Sequence, residues 1–160
     1  MLYSVRHAAF FVIIMFIAGA ALWPQAAIVL QDENDPRSFV GMKIEELIGR
    51  CGPPGSVHAV RGNEDWQDDV VFVYGEGRQC PPGDFYIFQD RVWQLGLKSA
   101  YGITVGDHKA VAALVLGGEA EDKGDYILFP LRGSGWPLIL RINVNRTGFV
   151  SAIFVYRPDF

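Results

Sequence analysis

Between Lys43 and Gly52 the apolar residues Ile44, Leu47, Ile48 and Cys51 stand at i, i+3, i+4 and i+7. That spacing places all four on one face of a helix and turns Glu45, Glu46 and Arg50 to water. Gly52 suits the left-handed position past a helix end, and Pro53-Pro54 cannot continue the turn. A helix of about three turns does not hold alone, so the pattern predicts one laid on a sheet. A second apolar set, Val111, Leu114 and Val115, follows Asp107, the expected N-cap, and is framed by Gly106 and Gly117 as the first is by Gly41 and Gly52.

Strand-like runs follow each helix. In the first half they are Val70–Tyr74, Phe85–Phe88 and Val92–Leu97; in the second, Tyr126–Leu131, Leu138–Ile142 and Phe149–Tyr156. The two sets lie 65 residues apart, measured from Gly41 to Gly106. The expectation is an α+β protein made by internal duplication: two tandem helix-plus-antiparallel-sheet repeats, residues 39–99 and 100–160. Val70, Phe72 and Tyr74 share one strand face, as do Trp93, Leu95 and Leu97. In the last strand Phe149, Ile153 and Val155 point one way and Val150, Ala152, Phe154 and Tyr156 the other, so both faces are apolar. A sheet covered by a helix on one side needs a single apolar face, and the surplus marks a binding surface. Trp66, Tyr74, Trp136, Phe154 and Tyr156 are its candidates, since Trp and Tyr dominate interface energetics. Each of them also fits a second role, sealing the junction between repeats or packing beneath a loop.

The N-terminal stretch has another character. Arg6 and His7 precede Ala8–Trp23, which contains no charged or strongly polar side chain and ends at Pro24-Gln25; this is the pattern of an export signal. Ala18-Gly19-Ala20 offers small residues to a peptidase, whereas Ala26–Leu30 could extend the run into a retained anchor, so residues 1–30 are expected to be a signal peptide or an N-terminal membrane anchor. In either case the basic end stays inside and Asp32-Glu33-Asn34-Asp35 crosses. Residues 31–38 read as a polar linker.

Composition narrows the partners. All 18 acidic residues, and every basic residue except Arg6, lie after residue 30, and the net charge is −4. No basic stripe exists to neutralise phosphates, which excludes nucleic acid as the expected partner. Half the residues are hydrophobic, which places the chain among folded rather than disordered proteins. Cys51 and Cys80 are the only cysteines. Outside the cytosol they fit a bridge that would close a loop of about 30 residues and stabilise it by roughly 3 kcal/mol; they also fit a small core residue and a free loop thiol. Their count and spacing exclude a redox CxxC pair and a zinc cluster.

Catalytic patterns are absent from the sequence. His7, His58 and His108 are scattered, and neither a nucleophile elbow nor HExxH occurs. Glu64–Asp69 is acidic but lacks the glycine and closing glutamate of a calcium loop. The glycines follow no dinucleotide or Walker pattern, so no cofactor or metal is expected. Asn145-Arg146-Thr147 reads as a turn.

Gly41-Met42, Glu45-Glu46-Leu47 and Gly52-x-Pro54 resemble the Gly-Met-Thr-(x)-Glu-Glu-Val…Leu-Gly-x-Pro signature of the SmpA/OmlA (BamE-like) envelope lipoproteins, whose fold is shared by the β-lactamase inhibitor proteins. The resemblance covers residues 39–55 and, loosely, 102–118. Lys43 stands where the family often has Thr, and no Leu-x-x-Cys lipidation sequence precedes the motif. It implies a non-enzymatic cell-envelope protein that binds another protein, as an assembly or scaffold accessory, periplasmic or tethered through residues 1–30. Two alternatives stay open. One is an inhibitor of a secreted or periplasmic hydrolase acting through Gly75–Gly83 or Arg132–Trp136; the other is a small-ligand protein with a pocket between the repeats.

Overall fold

The computed structural model describes residues 34–61 and 68–159. The expected export segment and Trp66 lie outside the described residues. The first helix, α1 (Ile44–Cys51), forms where the pattern placed it and ends at Gly52 with positive φ; Leu47 and Cys51 are buried, whereas Ile48, expected on the same face, is exposed. The Glu46 carboxylate accepts from the Lys43 N–H at 3.1 Å and closes the first turn. Four strands follow: β1 (Ser56–Val60), β2 (Asp69–Tyr74), β3 (Gly83–Phe88) and β4 (Arg91–Leu97). A short hairpin, β5 (Ser99–Ala100) and β6 (Ile103–Thr104), leads into α2 (Lys109–Leu116). The chain then adds β7 (Glu121–Asp122), β8 (Tyr126–Leu131), β9 (Leu138–Val144) and β10 (Val150–Tyr156).

The expectation of two tandem helix-plus-antiparallel-sheet repeats is overturned here. All the long strands join one antiparallel sheet of eight, in the order β1-β2-β3-β4-β10-β9-β8-β7. The reason is the pairing of β4 with β10, Leu97 to Ile153 through Gln94 to Tyr156, which uses up the edge that two separate sheets would have exposed. A single row of side chains, Phe72, Phe85, Leu95, Val155, Leu140 and Phe129, crosses the seam without a break. One apolar core beneath both helices results, containing Leu47 and Cys51 of α1 and Ala112 and Leu116 of α2.

Each helix is tied to a hairpin turn. Gly41 N–H donates to Val92 O and Ile44 N–H to Asp90 O; Gly106 N–H donates to Val150 O and Lys109 N–H to Gly148 O. At Gly41 the glycine is required, since φ is +89° and a Cβ would stand 2.4 Å from the Trp136 indole. The second helix departs from expectation in two ways. Its N-cap is His108, whose Nδ1 accepts from Ala110 N–H at 3.2 Å, because the Asp107 carboxylate is already taken by Thr104 N–H at 2.7 Å. Its buried residues are Ala112 and Leu116, leaving Val111, Leu114 and Val115 exposed.

The polar stretch before α1 belongs to the fold from Asn34 onward. Asp35 is buried and accepts from Arg37 N–H, from Arg37 Nε at 2.7 Å and from the Tyr101 hydroxyl at 3.0 Å. Arg37 also donates to Arg132 O. Burial and the neighbouring Asp35 push the Tyr101 hydroxyl up. This node joins the approach to α1, the β5–β6 hairpin and the β8–β9 loop.

Candidate functional site

The sheet has a second face that no described helix covers. Register places Val71, Tyr86, Gln94, Tyr156, Ile139 and Pro130 in one row on it, and Val73, Asp84, Gly96, Phe154, Arg141 and Leu128 in the next. Strands with apolar residues on both sides produce this, as the alternation in β10 indicates. Gly96 lies at the centre. A Cβ there would meet Phe154 at 3.4 Å and Tyr86 at 3.6 Å, so both rings lean over the bare backbone.

Bulges aim two further residues. Between Tyr86 and Ile87 the β3–β4 register shifts, which pairs Ile87 with Val92 and leaves Trp93 as the extra residue. Val92 therefore enters the core. Trp93 leaves the face it was expected to share with Leu95 and Leu97: its ring meets Tyr86 edge-on at 6.3 Å, and its Nε1–H donates to Asp69 at 3.2 Å. A second shift between Val150 and Ala152 turns Val150 inward with Ile153 and Val155 and leaves Phe149 exposed against His108.

Charge frames the aromatic centre unevenly. Burial raises the Asp69 carboxyl, against the Trp93 hydrogen bond, and burial beside Asp84 and Asp69 raises the Tyr86 hydroxyl. On the opposite flank Arg141 lies over the Tyr126 ring at 4.3 Å and donates from Nε to Asn143 at 2.8 Å. The half-buried aromatics thus sit between an acidic side and a basic one.

The sequence candidates separate on this geometry. Phe154 and Tyr156 are half-buried on the open face. Tyr74 is a correction: it is 1% exposed, packs edge-on against Phe85 at 5.1 Å, and donates to Gly52 O, because it shares the helix-covered face with Phe72. Trp136 belongs to the β8–β9 loop, where it covers Gly41 and carries the Arg157 guanidinium at 5.1 Å. Tyr86 and Trp93 were missed; the alternation of Phe85 and Ile87 with Tyr86 and Phe88 carried the signal for the first. Cys51 and Cys80 are both buried free thiols.

Chemistry elsewhere is sparse. His58 is exposed on β1, and His108 is committed to its cap. Among the described residues no three His, Cys, Asp or Glu side chains converge as metal ligands. A cleft of about 530 Å³ lies between the approach to α1 and the loop at Gly133–Trp136. Its arginines are engaged within the protein, Arg91 with Gly41 O at 2.7 Å and Arg37 with Asp35. Among the described residues no helix is long and apolar enough to cross a membrane.

No family model matches the chain, and no curated protein is similar to it. The resemblance to the SmpA/OmlA proteins therefore rests on residues 39–55 and, loosely, 102–118. Among solved structures the chain is similar to an extracellular protein containing an SCP domain from Bacillus anthracis str. Ames, at 10% identity and a TM-score of 0.49. The match covers 80% of this chain and 47% of that one, so the chain spans about half of that structure's length. At that level neither fold nor function transfers.

Proposed function

We propose that this is an exported, non-catalytic protein that holds another protein of the cell envelope against the uncovered face of its sheet. The observation that carries the reading is the group Tyr86, Trp93, Phe154 and Tyr156, half-buried around Gly96 on the side opposite both helices. Aromatic side chains of this kind supply large contact area at low entropic cost. Eight strands spaced ~4.8 Å apart span roughly 34 Å, wide enough for a standard interface of ~800 Å² per partner. The signal-like pattern of residues 1–30 and the Gly41–Pro54 resemblance support export and an envelope setting.

The test places a photo-crosslinking residue at Tyr156 and, as control, at Glu45 on the far side of α1, in the full-length chain in its own cells. A discrete adduct at 156, absent at 45 and lost with Trp93→Ser, is the expected result. Equal or absent crosslinking at both positions overturns the proposal. The hydrolase-inhibitor alternative draws on the β2–β3 loop, whose tip at Glu76–Arg78 is exposed while Cys80 at its base is buried. Inhibition of a hydrolase, abolished by changes at that tip while Trp93→Ser has no effect, would favour it over the open face.

A further inference from the structure

At the C-terminal end of α1 two thiols are buried side by side. Cys51, the last helical residue, is 4% exposed and Cys80 in the β2–β3 connection is 3% exposed, both belong to the one core cluster, and the chain beside them meets: the Arg78 guanidinium lies 3.4 Å from where a Cβ on Gly52 would stand. The surrounding backbone holds both in place. Gly52-Pro53-Pro54-Gly55 follows the first cysteine and Pro81-Pro82-Gly83 the second, so each exit path has its φ angles fixed by two prolines. The Tyr74 hydroxyl donates to Gly52 O at 3.2 Å and pins the helix end from below.

We propose that Cys51 and Cys80 close into a structural disulfide while the chain folds, by exchange with a disulfide-bearing redox partner. Two buried thiols brought to the same corner of the core, with the residues flanking one packed on those flanking the other, are placed to form such a bond. The thiolate of one cysteine attacks the partner's disulfide, forming a mixed disulfide and releasing one partner sulfur. The thiolate of the second cysteine then attacks the protein sulfur of that mixed bond, joining Cys51 to Cys80 and releasing the other partner sulfur. The partner gains two electrons, and its sulfurs take up the two protons that the cysteines lose.

Timing follows from burial. In the packed state burial pushes the Cys51 thiol up to about 12 and raises Cys80 as well, so neither is an attacking thiolate at neutral pH. Exchange belongs to a stage before α1 settles, and the finished bridge is a fixed staple with no dithiol chemistry of its own. Its position is specific: it clamps the end of α1 opposite the hydrogen bonds to Val92 and Asp90, fixing the helix at both ends.

The test uses the full-length chain, reduced, unfolded and refolded in a glutathione redox buffer, then unfolded again and alkylated without reductant. The expected result is near-complete loss of labelling at both cysteines, restored by prior reduction. Trypsin should yield residues 51–61 joined to residues 79–91, and reduction should separate them. Two labelled cysteines without reductant, glutathione retained on either, or a bridge between two chains would each overturn the proposal. The Cys51→Ser variant should leave Cys80 fully labelled, which separates the intramolecular bridge from simple inaccessibility. The outcome is independent of any partner at the open face.

Discussion

α1 reaches the sheet through hydrogen bonds from Gly41 and Ile44 to the β3–β4 turn, and α2 through hydrogen bonds from Gly106 and Lys109 to the β9–β10 turn. Each runs eight residues and ends at a glycine of positive φ, Gly52 or Gly117. Their side chains diverge. α1 buries Leu47 and Cys51 and shows water Glu45, Glu46 and one large apolar residue, Ile48, whereas α2 buries Ala112 and Leu116 and shows water three, Val111, Leu114 and Val115. The backbone attachment sets which side of a helix faces the sheet, and the side chains adapt to the space that remains. Hydrophobicity alone does not choose the buried side.

The largest effect that can break this comparison comes from exchanging the central contacts. Leu47 is fully buried, and Leu47→Ala should cost about 4 kcal/mol through lost burial and the cavity left behind. Ala112, also fully buried, occupies the corresponding place in α2; Ala112→Leu should cost about 2 kcal/mol by overpacking. Denaturant unfolding of the two variants measures both. A neutral or stabilising Ala112→Leu would mean that α2 stands off the sheet, and the contrast would fail.

The ends of the helices offer a second, smaller test through pH. Where α1 ends in Cys51 against Cys80, α2 ends in Leu116, which cannot titrate. In the reduced protein both thiols have their folded values raised above the ordinary 9.0, chiefly by burial. As pH rises through 9.0 the unfolded chain loses these protons first, so stability is full below that value and falls above it. Tyr74, pushed up to about 12 by burial, adds a fall of its own from 10.0. Unfolding midpoints of the reduced protein should therefore drop more steeply between neutral pH and pH about 10 than those of a Cys51→Ala, Cys80→Ala double variant. Parallel curves would show that the thiols are hydrated, contrary to the packing of α1.

These tests bear on what the chain discloses before folding. α1 was legible because Glu45, Glu46 and Arg50 contrast with Ile44, Leu47 and Cys51, so one side is marked as inner, although Ile48, counted on that side, is exposed. Residues 110–116 of α2 are all apolar, and without contrast the periodicity cannot choose a face; the tether to the β9–β10 turn does. The main strands appeared where period-two alternation placed them, but the bulges at Trp93 and Ser151 each insert one residue, which reverses a face with no local warning. The joining of β4 to β10 was hidden for another reason. It depends on two strands more than fifty residues apart finding a shared register, and either would look the same as an outer edge. On the open face Phe154 and Tyr156 followed from alternation, Tyr86 could have, and Trp93 could not.

The smallest expected effect lies on the outward face of the helices, and it has the sharpest consequence. Leu114 is 84% exposed and Gly49, at the corresponding place in α1, has nothing within 4 Å of where a Cβ would stand. Gly49→Ala should stabilise the protein by about 0.8 kcal/mol, the helix-propensity difference in open space. Leu114→Lys should change stability by less than about 0.5 kcal/mol, since Lys and Leu have similar helix propensity and no burial is lost. Both are read from unfolding curves taken at two protein concentrations. A loss several times larger for Leu114→Lys, growing with concentration, would mean that the exposed stripe of α2 is covered in solution by another copy. The difference between the helices would then be one of assembly as well as of packing against the sheet.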